Sequence, residues 1–250
     1  MKNYNAGVGS TLTLDNNGER TTVEVFSREG LDFISNLWIK SAAQHRLMYE
    51  PTWLGRPVIQ FPTDIVMIQE LLWKIQPEVI VETGVAHGGS LVLSASILEL
   101  IGKGKVIGVD IEIRSHNRVA IESHPLKHRI ELIEGSSIDS GILDAVKKAI
   151  GNAKSVLVFL DSNHTEAHVL KELELYAPLV TPGSYIVAHD GSQAWVWDIP
   201  RGKPEWKDDH PLTAIHKFVG SNPEFTIDPY WTRLGITSSP DGFLLRSTEP

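Results

Sequence analysis

The chain of 250 residues contains no cysteine. This absence excludes disulfide bonds, thiolate metal ligands and cysteine nucleophiles, and it is typical of cytoplasmic proteins. No stretch approaches the roughly 18 consecutive apolar residues of a membrane-spanning helix, and residues 1–20 lack the apolar region of a signal peptide. We therefore expect a cytoplasmic protein with no membrane partner.

Positive charge is also scarce, with 23 Lys and Arg residues against 31 Asp and Glu residues and a net charge of −8. This surplus of negative charge disfavours nucleic acids and anionic membranes as partners, because their phosphates would be repelled. Small molecules and neutral glycans stay open as partners. With 42% hydrophobic residues, the chain can bury one substantial core.

Two regions differ in pattern. The pattern of residues 1–58 predicts an arm or short strand pair followed by a helical appendage, and that of residues 59–250 predicts one main domain. Apolar positions within residues 27–49 recur at helical spacing. Because such an amphipathic segment covers a sheet edge or a partner subunit, it favours a homo-oligomer.

Short apolar runs alternate with helical patterns through the main domain. Strands are predicted over residues 79–81, 106–109, 130–133, 156–160 and 185–188, with two more near 225–227 and 243–246. A helix over residues 64–75 precedes the first run, and helical stripes separate most of the others. This alternation predicts an α/β protein with a Rossmann-like, doubly wound sheet.

The first of these strands ends in the run VIVETGVAHGGS, an acid followed by a glycine-rich turn. Gly84, Gly88 and Gly89 allow a tight turn and close approach of a ligand, and Ser90 can cap the next helix. Ser90 and Leu91 follow the last glycine, where a phosphate-binding P-loop has a Lys and then Ser or Thr. The glycine spacing does not fit the dinucleotide fingerprint. An acid before such a turn resembles the S-adenosylmethionine loop of class I methyltransferases, although strand-to-helix packing alone also explains the glycines.

Polar residues end four successive predicted strands at one edge of the sheet, namely Glu82, Asp110, Asp161 and the pair His189 and Asp190. A single acid at a strand end often only caps the next helix. Four of them beside a glycine turn indicate a shared ligand cleft. Asp110 is placed to accept hydrogen bonds from the ribose hydroxyls of either NAD or S-adenosylmethionine.

Asp161, His189 and Asp190 follow two strands that we expect to be neighbours, so they could bind one cation. Carboxylates suit Mg²⁺ or Mn²⁺, whereas the imidazole favours Mn²⁺, Fe²⁺ or Zn²⁺. The metal therefore stays open at this point. The alternative is that the acids cap helices and that His189 is a hydrogen-bonded histidine at a strand end.

Further candidates flank this edge. His164, in the run DSNHTEAHV, could act as a general base near Asp161. His168, one helical turn later, is expected on a solvated helix face. Ser136 and Ser137 could border an adenine, although a turn with a helix cap explains them equally well.

Five runs carry a family resemblance: PEVIVETGVAHGGS, GVDIEIR, EGSS, FLDSNHTEAHVLKELELYAPLV and YIVAHDGS. Together they resemble the cephalosporin hydroxylase family, whose members are similar to class I S-adenosylmethionine-dependent O-methyltransferases. These include metal-dependent sugar O-methyltransferases of macrolide and glycan pathways. The resemblance covers residues 60–190, and it implies a class I methyltransferase sheet, S-adenosylmethionine as cofactor, and a divalent metal, with Mg²⁺ or Mn²⁺ favoured.

The resemblance also implies roles for individual residues. It assigns Glu82, Gly84, Gly88, Gly89 and Ser90 to the methionine portion of the cofactor and Asp110 to its ribose. The expected cofactor-binding set is completed, apart from the resemblance, by His87, Ser136, Ser137 and Asp161. Asp161 and Asp190 take the places of metal carboxylates, and Asp161 and His164 form the catalytic set with His164 as base. The chain departs from the family pattern at His189, where relatives carry an acid.

These residues favour methyl transfer to a hydroxyl of a sugar moiety in a small glycosylated metabolite or glycan. One alternative is a non-haem iron oxygenase that uses imidazoles and Asp161 as ligands. Another is a catalytically inactive nucleoside-binding protein. An NAD-linked dehydrogenase fits less well, because no Tyr-x-x-x-Lys pair follows the fourth strand.

Overall fold

The computed structural model describes residues 5–248, and these begin with elements outside the main sheet. They are β1 (Thr11–Asn16), β2 (Glu19–Glu24), α1 (Arg28–His45), β3 (Thr52–Trp53), β4 (Arg56–Pro57) and α2 (Pro62–Ile75). β1 and β2 form the expected strand pair as an antiparallel hairpin, while residues 1–4 of the predicted arm lie outside the described residues. Ser27 caps α1, since its side chain accepts a hydrogen bond from the backbone N–H of Gly30.

Strands and helices then alternate, as the sequence predicts. The elements are β5 (Val79–Thr83), α3 (Gly89–Ile101), β6 (Lys105–Asp110), α4 (Ser115–Glu122), β7 (Ile130–Glu134), α5 (Ser140–Ile150), β8 (Val156–Leu160), α6 (Glu166–Tyr176), β9 (Tyr185–Ala188), α7 (Gln193–Val196), α8 (Pro211–Ser221), β10 (Phe225–Ile227) and β11 (Phe243–Arg246). No helix within residues 5–248 has the length and hydropathy needed to cross a membrane.

The main sheet has seven strands in the order β10-β11-β9-β8-β5-β6-β7. The strands from β5 to β9 run parallel, while β10 and β11 are antiparallel. β5 pairs with β6 on one side and with β8 on the other, so the chain reverses its direction of travel across the sheet at β5. Such a reversal opens a crevice at the carboxyl ends of the strands, where ligands bind in this class of fold. The predicted Rossmann-like α/β fold is confirmed.

Two apolar layers cover the two faces of this sheet. Ile80 of β5 points into one layer with residues of α2 and α3, whereas Val79 and Val81 point into the other with residues of α6 and α8. This alternation follows from the two-residue period of a strand. A third and smaller cluster, the α1 cluster, joins α1 to α2 and α7 through Ile39, Ala42, Phe61 and Val196. The structure leaves the division at residue 58 as a prediction.

Candidate active site

The glycine turn brings the end of β5 against the end of β8. Gly84 has a φ of +92°, and a Cβ atom there would lie 2.0 Å from the backbone oxygen of Asp161. Only glycine combines this backbone conformation with so close an approach. The turn leads to Gly88, which has a φ of +77° and caps α3.

Asp110, the last residue of β6, holds the same turn from the other side. One carboxylate oxygen accepts hydrogen bonds from the backbone N–H groups of Val85 at 2.8 Å and Ala86 at 3.2 Å. The other oxygen accepts from the N–H of Glu112 at 3.2 Å. The carboxylate is therefore fixed at the floor of the crevice while it keeps further acceptor capacity.

The inner crevice follows the strand ends and consists of two connected cavities. One, of about 230 Å³, is lined by Asp110, Ser136, Ser137 and His168. The other, of about 200 Å³, is lined by His87, Gly89, Ser90, His164 and Asp190. Gly84, Ala86, Asp161 and Ser162 line both cavities. The structure thus brings most of the predicted cofactor residues together along one crevice.

Glu82 lies beneath this crevice rather than in its wall. Its side chain is 2% exposed, it borders a very small internal cavity, and it accepts a hydrogen bond from the hydroxyl of Ser90. Burial raises the pKa of Glu82 to about 7, although the Ser90 hydroxyl opposes the shift. Glu82 therefore supports the glycine turn through Ser90.

A cluster of two carboxylates and one imidazole lies at the outer end of the inner crevice. One ligand atom each of Asp161, His164 and Asp190 lie within 4.8 Å of one another, and His164 Nε2 is 3.2 Å from Asp190 Oδ2. Burial first, and then the nearby Asp190 carboxylate, raise the pKa of Asp161 well above its usual value. A bound cation would offset this repulsion, and the donor set of carboxylates and imidazole fits a divalent metal.

His189 has a different environment from the one predicted. Its ring is 4% exposed, its Nδ1 lies 2.9 Å from the Ser239 hydroxyl, and its ring packs against that of Phe159. Burial lowers the pKa of His189 to about 4. In the cluster that the geometry identifies, the imidazole is that of His164. The run DSNH places His164 three residues after Asp161, which is the sequence signal for this association.

His168 is not on a solvated face, so that prediction was wrong. Its side chain is 19% exposed, and its Nε2 lies 3.2 Å from the hydroxyl of Ser137 and 3.3 Å from that of Ser162. Ser162 also donates to the buried carboxylate of Glu172 at 2.7 Å. α6 therefore turns His168 toward the inner crevice, because Glu172 one turn further on is buried against the sheet.

A second compartment, the outer cavity, has a volume of about 350 Å³ and lies between α1, α7 and the loops around them. It meets the inner crevice at Tyr49, Ile59, Gln60, His164 and Asp190, which line both compartments. Apolar side chains of the α1 cluster form much of its floor. The sequence does not predict this cavity, since its walls come from segments distant along the chain.

A mostly parallel sheet that reverses at β5, a glycine turn and an acid ending the next strand form a nucleoside-binding crevice of the doubly wound type. With the acidic cluster beside it, this arrangement has the features expected of a class I methyltransferase. Residues 45–247 match the family described as "Rhamnosyl O-methyltransferase/CmcI". The chain belongs to this family. The resemblance seen in the sequence runs is therefore confirmed.

Individual relatives agree with this assignment. The chain is 30% identical over 201 residues to a rhamnosyl O-methyltransferase of Mycobacterium bovis (strain BCG / Pasteur 1173P2), a match that covers 78% of each chain. It is 29% identical over 199 residues to the Mycobacterium leprae (strain TN) protein of that description, covering 78% of this chain and 82% of the relative.

Solved structures show the same fold. A CmcI structure described as a Mg-SAM complex has a TM-score of 0.58 at 20% identity, covering 80% of this chain and 78% of its own. An O-methyltransferase from Bacillus cereus, described in complex with SAH, has a TM-score of 0.52 at 18% identity, covering 88% and 91%. At these identities the likeness concerns the fold.

Proposed function

We propose that the protein is an S-adenosylmethionine-dependent O-methyltransferase that uses a divalent metal to methylate a hydroxyl of a sugar moiety. The acceptor belongs to a small glycosylated metabolite or a glycan. One observation carries the proposal: His164 and Asp190 line both the inner crevice and the outer cavity, and Asp161, which lines the inner crevice, has a ligand atom within 4.8 Å of theirs. A donor in one compartment and an acceptor in the other would face each other across these side chains. The names of the rhamnosyl relatives support a sugar acceptor.

In this proposal the inner crevice holds the cofactor. Asp110 accepts hydrogen bonds from the ribose, and Ser136 and Ser137 border the adenine. The glycine turn and Ser90 bind the methionine portion through backbone N–H groups and the hydroxyl, a role supported by the close approach that Gly84 allows. His87 lines the same cavity.

Asp161 and Asp190 would hold the metal, for which Mg²⁺ or Mn²⁺ suits the oxygen donors. S-adenosylmethionine supplies an electrophilic methyl group, and a divalent cation lowers the pKa of an acceptor hydroxyl. His164 would take the hydroxyl proton at Nδ1 rather than act as a metal ligand, because its Nε2 lies 3.2 Å from Asp190 Oδ2 and can donate its hydrogen to that carboxylate.

The test combines activity with metal binding in an Asp161→Asn variant. Removing the carboxylate that lines both halves of the inner crevice should lower the rate of methyl transfer from labelled cofactor by about a hundredfold or more. Calorimetry should show loss of Mg²⁺ binding, while S-adenosylhomocysteine still binds. Asp144→Asn is the matched control, because the Asp144 side chain is 76% exposed on α5.

Two results would refute this function: no binding of S-adenosylhomocysteine to the wild-type protein, or full activity in Asp161→Asn. The iron oxygenase alternative has less support, since the cluster contains one imidazole and two carboxylates, whereas that chemistry uses two imidazoles and one carboxylate.

We also propose that the protein is cytoplasmic and forms a homo-oligomer. Leu31 and Ile34 on α1 are 49% and 37% exposed, which supports a partner surface on this helix. Light scattering should give a mass of at least two chains of 27.7 kDa each. A single-chain mass would contradict the oligomer.

A further inference from the structure

The charges that line the outer cavity are segregated. Asp190 and His164 lie at its inner end, in the cluster described above, while Arg46 and Arg201 are the other charged residues of its wall. The wall thus offers a metal-binding end and a cationic side. An acceptor in this cavity would meet both.

Arg46 is an exposed residue in the wall of the outer cavity, and its guanidinium stacks on an aromatic ring. It ends α1 in a left-handed conformation with a φ of +59°, and its guanidinium carbon lies 4.4 Å from the centre of the Tyr49 ring. A guanidinium stacked on a ring keeps its planar fork of donors available and loses little further freedom on binding an anion. Tyr49 itself lines both compartments.

Arg201 is brought to the same region by a contact with α1. Its backbone N–H donates to the side-chain oxygen of Gln44 at 3.1 Å, and Gln44 precedes Arg46 by two residues. Among the ion pairs of residues 5–248, none involves Arg46 or Arg201, whereas Lys40 on α1 pairs with Asp198 at 2.6 Å. In a chain with net charge −8, two arginines without a carboxylate partner beside one cavity are available to a ligand.

Two glutamine oxygens in the wall also point to a ligand. Gln60 is 4% exposed and lines both compartments, and within residues 5–248 its Oε1 has no hydrogen-bond partner. The buried Oε1 of Gln193, another wall residue, likewise has none in this part of the chain. Buried amide oxygens without a donor are costly. Each oxygen is enclosed by protein atoms, and rotation of the amide toward the cavity would bring it within reach of a sugar hydroxyl.

We propose that the outer cavity selects a hydroxylated acceptor that carries an anionic group, a carboxylate or a phosphate, bound by Arg46 and Arg201. Gln60 and Gln193, with their amides rotated toward the cavity, accept hydrogen bonds from its hydroxyl groups, and one hydroxyl faces the acidic cluster. This inference rests on the proposed function, because it names the class of acceptor for the same site.

Binding of defined probes tests the inference without requiring turnover. The protein, saturated with S-adenosylhomocysteine and Mg²⁺, is titrated with methyl glucuronide, glucose 6-phosphate and neutral methyl glucoside, and affinities are measured by calorimetry or ligand-observed NMR. At least one anionic probe should bind about tenfold or more tightly than the neutral glycoside, because charge-assisted hydrogen bonds are lost without the anion. Whichever anionic probe binds more tightly identifies carboxylate or phosphate as the preferred group.

Variants then assign the effect to the two arginines. Arg46→Gln and Arg201→Gln should each remove most of the preference for the anion, while Arg28→Gln, at the exposed beginning of α1, should keep it. The inference is overturned by equal or tighter binding of the neutral glycoside, by no binding of either anionic probe, or by a preference that survives both variants. Failure of the proposed function is distinguishable, because it appears earlier as failure to bind S-adenosylhomocysteine.

Discussion

Gly84 shows how one residue without a side chain determines the shape of the site. The left-handed backbone conformation and the contact with the Asp161 carbonyl are separate constraints, and both act at this position. Gly102, after α3, shares only the first constraint, since it has a φ of +84° and a Cβ atom added there would have nothing within 4 Å. The pair therefore separates backbone strain from steric contact.

We expect Gly84→Ala to destabilise the protein by about 2–4 kcal/mol, from left-handed strain of about 1 kcal/mol plus steric overlap of about 1–3 kcal/mol. Gly102→Ala should be destabilised only by the backbone strain, which costs about 1 kcal/mol. Urea denaturation measures both. Cofactor affinity should fall in Gly84→Ala, because the turn must move away from Asp161, and it should stay unchanged in Gly102→Ala. Equal destabilisation of the two variants would contradict the contact.

Also at the residue scale, the sequence predicted the acids of the cluster but not which histidine accompanies them. His189 continues the ladder of β9, since its N–H donates to Leu160 O at 3.0 Å, and its ring points inward to Ser239. Asp190 then adopts a left-handed φ of +59°. Consecutive residues of a strand point to opposite sides, so both side chains of the pair rarely face one cleft. Local sequence did not reveal the turn at Asp190.

At the scale of elements, the parallel strands were predictable because each is a short apolar run. β8 and β9 have the predicted bounds, and β5 extends two residues further to Thr83. α4 was not predicted, since only Asn117 and Ile121 of its eight residues are buried. The outer cavity depends on how α1 packs beside α7, and contacts between such distant segments leave no local pattern.

We expect Ile39→Ala to test the packing of α1. Ile39 is 1% exposed in the α1 cluster, so truncation should cost about 2–4 kcal/mol. Because the inner crevice is formed by other elements, binding of S-adenosylhomocysteine should change little, while acceptor KM should rise. Thermal denaturation and steady-state kinetics measure these effects. Val119→Ala, at a position 65% exposed on α4, is the control, and equal effects of both variants would argue against the packing.

At the scale of the whole molecule, the buried carboxyl of Glu82 links stability to pH. Its pKa is about 7 in the fold against 4.5 ordinarily. Because the folded state holds this proton more tightly, the free energy of unfolding falls as pH rises from about 4.5 to about 7, by up to about 3 kcal/mol. His189 has the opposite effect. Burial lowers its pKa from 6.5 to about 4, so the free energy of unfolding falls as the pH is lowered through this range.

Comparison with Glu82→Gln cancels the contribution of His189. The amide of Gln keeps an oxygen that can accept from Ser90, but it does not ionise. The stability of the variant relative to the wild type should therefore increase between about pH 5 and about pH 8. Denaturant unfolding across this range measures the difference. A constant difference would show that Glu82 does not titrate there.

Asp161 gives the two cavities of the inner crevice a common wall, and this has a thermodynamic consequence. A sulfonium and a metal ion are both positive, and both would draw on the negative potential of this one half-buried carboxylate. Occupancy by either cation must then alter the affinity for the other by the same factor. S-adenosylhomocysteine lacks the sulfonium charge. The metal ion should therefore bind more tightly when S-adenosylhomocysteine occupies the site than when S-adenosylmethionine does.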